Sequence, residues 1–391
     1  MLLNYYCVAA AVVVGAVSGI LAVRWLRGGL SSGRVLGRGA VVGFVGTVVL
    51  GVGGLAITGV DGITLIHVAY VVGTVGVPLA GGIVLVWARP RPRVVTTACV
   101  IALTAIPVGV YATHVEPFWL KVDAVELAVE GVDEPIRIGV LADLQTTAIG
   151  DYERDAVERL LGFGPDIVVL PGDLYQFDAD LLGERAPQFT QLIERIVDEV
   201  PLVYLVSGNT DTVAGLRRIT AGTGARVLDN EIDTFELGGI TVSIGGTTLF
   251  GDDAAARRMA ARLAGDEPAG GGQTGDRNAG DGQAEDGRAG VRILVGHKPD
   301  AIELVRATPV DLLVSGHTHG GQVSLPFFGP PLTLSNVPRH VAAGGLAELN
   351  GTPIYVSTGV GRERGNAPQL RLGVRPSIGI IDLVSAGSSD G

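Results

Sequence analysis

The sequence predicts an α/β domain preceded by a four-helix transmembrane region, and three observations carry that reading. Apolar stretches of about 20 residues, free of Asp, Glu, Lys and Arg, recur through the first third of the 391-residue chain; that is the length a bilayer core requires. From Ile136 onward, short apolar runs alternate with amphipathic stretches, the pattern of strands and helices in a sheet domain. The conspicuous polar clusters then follow the ends of those runs, where α/β folds place their ligands.

The predicted spans cover about 3–23, 40–60, 63–87 and 94–113, within a membrane part of residues 1–120. The first lacks a basic start and is too long for a signal peptide's apolar segment, so it reads as an uncleaved anchor. Arg24, Arg27, Arg34 and Arg38 fall between spans one and two, and Arg89, Arg91 and Arg93 between spans three and four. Short basic loops favour the cytoplasm, which predicts a multi-pass cell-membrane protein whose second domain lies on the extracytoplasmic side. Trp25, Trp87 and Trp119 sit at span ends, as interfacial aromatics do. The Gly15/Gly19 step and the prolines Pro78 and Pro107 fit close helix packing, and His67 reads as a packed or interfacial histidine.

A net charge of -11 and a count of two lysines argue against a nucleic-acid partner, whose phosphates need clustered cations. Cys7 and Cys99 lie in apolar stretches and read as small core residues. In the second domain, 121–385, strands are expected at 136–142, 166–170, 202–206, 240–244, 292–296, 310–314, 353–357 and 378–383, and helices at 151–162, 178–199, 212–221 and 299–307. Residues 263–290 are rich in Gly, Asp and Gln with almost nothing apolar to bury, so a flexible insertion is expected there, and 386–391 reads as a disordered tail.

Groups of metal-ligating type occur in order along this domain: Asp143 in LADLQ, Asp173 in LPGDLYQ, Asn209 in VSGNTD, His297 in VGHKPD, and His317 with His319 in VSGHTHGGQ. Taken singly, a strand-end Asp is as readily a helix cap, and GD or GN a turn. The GHTHGGQ block is different. Two imidazoles at i and i+2, flanked by glycines that let backbone approach a centre, are hard to account for as packing.

The whole series, within residues 137 to 383, resembles the calcineurin-like metallophosphoesterase superfamily, and most closely its membrane-associated prokaryotic branch with a GHTHGGQ block; PIYVSTGVG and RPSIGIIDL resemble that branch's closing strands. The resemblance implies a four-layer α/β/β/α sandwich with two divalent metal ions, Mn, Fe or Zn, at one sheet edge. It implies that Asp173 bridges both ions, that Asn209, His297 and His317 complete one site, and that Asp143, His319 and Gln145 hold the other. Two cations about 3.5–4 Å apart lower the pKa of a bridging water and neutralise charge during in-line phosphoryl transfer. The implied activity is therefore hydrolysis of phosphomonoesters or phosphodiesters by a metal-activated hydroxide, with lipid-linked phosphoesters among the candidate substrates. Asp173, Asn209, Asp211 and His317 are the catalytic candidates.

Two positions depart from the family pattern. Gln145 stands where the first motif usually has His, weakening one metal site, and Thr210 stands where GNHD is common, leaving general acid catalysis to Asp211 or His340. These losses motivate an alternative, a non-catalytic metal-binding or sensor domain on a membrane anchor. A transporter is disfavoured because the spans carry no charged residue. Other two-histidine hydrolases lack the GD and GN loops in this order.

Overall fold

The computed structural model describes residues 2–58, 62–89, 91–248, 254–265, 290–364 and 367–387. They divide into two compact units: one running to Val115 and including 363–370, the other comprising Glu116–Arg362 and the chain from Arg371 onward.

The first unit is helical: α1 (Leu2–Arg27), α2 (Ser32–Thr58), α3 (Gly62–Val71), α4 (Val77–Trp87), α5 (Arg93–Leu103) and α6 (Ala105–Val110). Four runs, Leu3–Arg27, Ser32–Gly53, Thr64–Trp87 and Arg93–Phe118, are long and apolar enough to cross a membrane. The third and fourth runs are irregular for a covalent reason. Pro78 and Pro107 lack the N–H that would bond the carbonyls of Thr74 and Leu103, and a π-helical stretch, Val72–Gly76, and a break at Thr104 lie beside them. The Gly15 step serves close approach, since a Cβ there would run into the Gly76 carbonyl oxygen. Phe44, Val49 and Ile101 are exposed, as residues facing lipid would be. His67, Cys7 and Cys99 are buried.

The second unit is built on two six-stranded sheets. The first has the order β1 (Lys121–Val129), β12 (Ser377–Ser385), β2 (Ile136–Val140), β3 (Ile167–Pro171), β4 (Leu202–Val206), β5 (Arg226–Val227). The second has the order β10 (Gly345–Leu349), β11 (Thr352–Val356), β9 (Leu312–Ser315), β8 (Val291–Gly296), β7 (Ile240–Thr247), β6 (Glu231–Leu237). Strands β2 to β5 run parallel, as do β11, β9, β8 and β7, and the antiparallel pairings fall at β12–β2, β10–β11 and β6–β7.

Burial on both faces explains the unbroken apolar runs of the central parallel strands; all of IVVLP in β3 is buried. Between the sheets, Ile138, Val169 and Val206 of the first pack with Ile244, Val295 and Val314 of the second. Helices α7 (Asp151–Leu161), α8 (Leu182–Val197) and α9 (Val213–Thr220) cover the outer face of the first sheet, α8 through Phe189, Leu192, Ile193 and Ile196 at helical spacing. Helix α10 (Ala254–Ala264), the 3₁₀ segment Pro299–Val305 and α11 (Arg339–Ala342) cover the second. The architecture is the four-layer α/β/β/α sandwich.

Several expectations are corrected. The second unit's strands begin at Lys121 rather than Ile136, and β5, β6, β10 and α10 add elements not foreseen. Residues 299–305 form a 3₁₀ rather than an α-helix, and residues 178–181 lead into α8 through a separate 3₁₀ turn. Of the expected insertion at 263–290, Leu263 and Ala264 belong to α10, while 266–289 lies outside the described residues, as does most of the 386–391 tail.

Candidate active site

The loops after β2, β3, β4, β8 and β9 carry Asp143, Asp173, Asn209, His297 and His317 respectively, so the parallel strands deliver all five groups to one end of the two sheets. The backbone there is unusual. Asp143, Gln145, Asp173, His317 and His319 have φ of 48°, 43°, 54°, 69° and 48°, a left-handed region that non-glycine residues seldom occupy and that clusters at functional sites. The neighbouring glycines are needed for space. A Cβ on Gly208 would collide with the Asp173 carboxylate, and one on Gly316 with that of Asp143.

Ligand atoms of Asp143, Asp173 and His297 all lie within 4.8 Å of one another. His297 Nδ1 sits 2.9 Å from the Pro171 carbonyl oxygen, so that nitrogen carries the proton and donates it. The lone pair on Nε2 is thereby directed at Asn209 Oδ1, 3.0 Å away, and toward Asp173 Oδ2 at 3.5 Å. His317 repeats the arrangement: Nε2 lies 3.3 Å from the Leu334 carbonyl, and Nδ1 lies 2.9 Å from Asn209 Oδ1 and 3.1 Å from His297 Nε2. Burial, followed by the neighbouring His297, pushes the His317 imidazole down to about 3, which keeps it neutral.

With the second ring nitrogens donating to carbonyls, two imidazole lone pairs and two oxygens converge across 2.9–3.5 Å. Such a set is repulsive by itself and is satisfied by a cation. Imidazoles whose second nitrogen is anchored on a carbonyl are the usual form of metal-ligating histidine. The residues present fit a divalent metal ion.

The surrounding groups are arranged differently. Both carboxylate oxygens of Asp143 lie 3.1 Å from the His317 backbone N–H, which donates to them. Asp173 Oδ1 accepts from the Thr210 N–H at 2.9 Å, and the Gln145 N–H donates to the Asp173 carbonyl at 2.8 Å. Gln145 is fully buried. The Thr210 hydroxyl donates to the Tyr175 carbonyl at 2.8 Å, so no imidazole or free acid occupies that position. Asp211 accepts from the Gly208 and Leu174 N–H groups at 2.7 and 2.8 Å, one on each carboxylate oxygen; burial and then the Asp173 charge push it up to about 7. It braces two site loops. His340 is exposed on α11.

His319 is buried, with Nδ1 3.2 Å from Nη2 of Arg371. Burial and the Arg371 charge hold this imidazole well below its ordinary value. The fully buried guanidinium also donates to the carbonyls of Thr358, Gly359 and Gly361 at 2.8, 3.1 and 2.6 Å. Sequence reasoning missed Arg371; its one signal is an arginine between two leucines, LRL, just before the closing strand. A cleft of about 810 Å³ opens beside His297, with Thr247, Arg257, Lys298 and Asn336 in its wall.

Residues 136–321 match the family model for the calcineurin-like phosphoesterases. Over 279 residues the chain is 28% identical to Phosphodiesterase YaeI of Escherichia coli (strain K12), covering 70% of this chain and 92% of that one. It is 41% identical over 95 residues to the uncharacterized metallophosphoesterase YkuE of Bacillus subtilis (strain 168), 24% of this chain and 31% of that one. Among solved structures, TT1561 of Thermus thermophilus is similar with a TM-score of 0.36 and 10% identity, over 58% of this chain and 91% of that one. The match and the donor set are those of a metal-dependent phosphoester hydrolase, and divalent metal is the cofactor class.

Proposed function

We propose that the chain is a membrane-anchored phosphoesterase that hydrolyses its substrate at a binuclear metal centre on the extracytoplasmic side. The observation that carries this reading is the convergence of His297 Nε2, His317 Nδ1, Asn209 Oδ1 and Asp173 Oδ2 beside the Asp143 carboxylate. Asp173 would bridge the two ions; Asn209, His297 and His317 would complete one site, and Asp143 with His319 and Gln145 would form the weaker one. Divalent cations held there would supply Lewis acidity toward phosphoryl oxygens and a water of lowered pKa.

The chain's own residues do the rest. Carbonyls hold the second nitrogens of His297 and His317 and so aim their other nitrogens into the cluster, and Asp211 fixes the loops that carry Asp173 and Asn209. With Thr210 bonded to backbone, no side chain at that position protonates the leaving group, so esters with good leaving groups are the better substrates. The name of the E. coli relative supports phosphodiesters over monoesters. The arginines of the two predicted cytoplasmic loops support the extracytoplasmic placement.

The full chain in detergent, loaded in turn with Mn²⁺, Zn²⁺ and Fe²⁺, should turn over bis(p-nitrophenyl) phosphate, and more slowly p-nitrophenyl phosphate. No turnover above an Asp173→Ala control with any metal would sink the proposal. That result would favour the alternative, a metal-binding or sensor domain, which the loss of imidazoles at Gln145 and Thr210 also supports.

A further inference from the structure

The block containing His317 and His319 runs directly into a hairpin whose surface is wrong for water. Leu325 and Gly329 close a tight turn, each N–H donating to the other's carbonyl at 3.0 and 2.9 Å. Phe327 stands at its tip with a φ of 65° and is completely exposed, at 111%. Leu325, Phe328, Leu332 and Leu334 are exposed as well. A scatter of single apolar side chains is ordinary on a protein surface, whereas five large ones within ten residues form a patch that marks an interaction site.

The tip is held rather than loose. Ser324 and Leu372 fix its base, the Ser324 N–H donating to the Leu372 carbonyl at 2.8 Å and the Leu372 N–H to that of Gln322 at 2.9 Å. The prolines Pro326, Pro330 and Pro331 stiffen the rest. The left-handed backbone at Phe327 is strained for a residue with a side chain, and such strain tends to be kept where it serves a function. At the other end, the Leu334 carbonyl is the atom that anchors His317 Nε2, so the apolar loop and the metal-type cluster share one piece of backbone.

We propose that the Leu325–Gly329 hairpin is a membrane-interface finger, which seats Phe327 and Phe328 at the lipid–water boundary and so presents the His317 side of the cluster to phosphoesters carried by lipids. Two features select a lipid surface as the occupant. The same chain carries four helices long and apolar enough to cross a membrane, the anchor in the reading above. The Arg339 guanidinium lies 4.6 Å over the Phe328 ring, so a cation accompanies the aromatic, the combination that suits an anionic headgroup layer above an apolar one. The membrane contact rests on the anchored part of the reading above, and the substrate consequence on its hydrolase part.

The test uses the full chain reconstituted into phosphatidylcholine/phosphatidylglycerol vesicles. Phe327→Cys is labelled with the fluorophore NBD, with Asp151→Cys, a fully exposed position in the first turn of α7, as the reference. Both native cysteines are buried, and unsubstituted protein measures their residual labelling. Doxyl-labelled phosphatidylcholine should quench the probe at 327 at least about twofold more than the probe at 151, with a blue-shifted emission, as for a side chain in the interfacial layer. Phe328→Cys gives a second reading should the first variant express poorly. Equal quenching at 327 and 151 overturns the proposal, and so does 327–327 disulfide cross-linking between copies in place of quenching. Because quenching needs no turnover, it is decided independently of whether the chain hydrolyses phosphoesters; loss of turnover with quenching intact would count against the hydrolase reading alone.

Discussion

The Arg371 guanidinium lies 3.2 Å from Nδ1 of His319, with both residues buried beneath the metal-type cluster. One cation thus supports a histidine and simultaneously closes the carbonyls of Thr358, Gly359 and Gly361. Arg371→Met should leave those buried acceptors unsatisfied and cost about 3 kcal/mol, since each orphaned polar group costs about 1–3 kcal/mol. The thermal midpoint of the second unit, followed by intrinsic fluorescence, should then fall by about 6–12 °C. Arg371→Lys keeps the charge but not the planar fork, so it should recover little. Full recovery by lysine would show that charge alone matters here.

Gly208 borders Asp173 so closely that any side chain would displace the carboxylate. Gly208→Ala should therefore lower metal affinity by about 10–100-fold, the usual cost of disturbing a ligand's supporting shell. Metal titration of the purified variant measures this directly. An affinity equal to wild type would mean that the carboxylate is not held where the geometry places it.

In the first unit, Gly15 faces the Gly76 carbonyl at the crossing of α1 with the third span. Gly15→Val should overpack that crossing and cost about 1–3 kcal/mol. The readout is the detergent-solubilised midpoint, and Gly33→Val, in a position where a Cβ meets nothing within 4 Å, should leave it nearly unchanged.

What was legible in the sequence follows from what each signal measures. The central strands were visible because burial on both faces makes them continuous apolar runs, as in β3 and β8. Strands β1 and β6 lack such runs: KVDAVELAV and EIDTFEL carry only the weaker alternating signal of half-exposed strands at sheet edges. The cluster was visible because each ligand-type residue sits in a short motif at a strand end. Arg371 carries no such motif: its partners are carbonyls of a loop ten or more residues away in sequence, and only the fold brings them together. The bracing contacts of Asp211 were hidden for the same reason, since the two amides it accepts from belong to different loops.

The strongest expectation concerns metal and stability together. Without a cation, the lone pairs of His297 Nε2, His317 Nδ1, Asn209 Oδ1 and Asp173 Oδ2 face one another across 2.9–3.5 Å, near a second carboxylate at Asp143. An ion that binds only the folded state relieves that repulsion and stabilises it in proportion to the logarithm of its concentration, by about 2.7 kcal/mol at a hundredfold excess over Kd. The midpoint should rise by several degrees on adding Mn²⁺ to chelator-treated protein, and fall back on adding EDTA. Asp173→Asn keeps the size of the side chain and removes its charge, so it should flatten the response. His340→Ala, at an exposed position on α11, should leave the response intact. A midpoint that is the same in Mn²⁺ and in EDTA would mean that the converging groups do not hold a cation, and the proposed centre would fall with it.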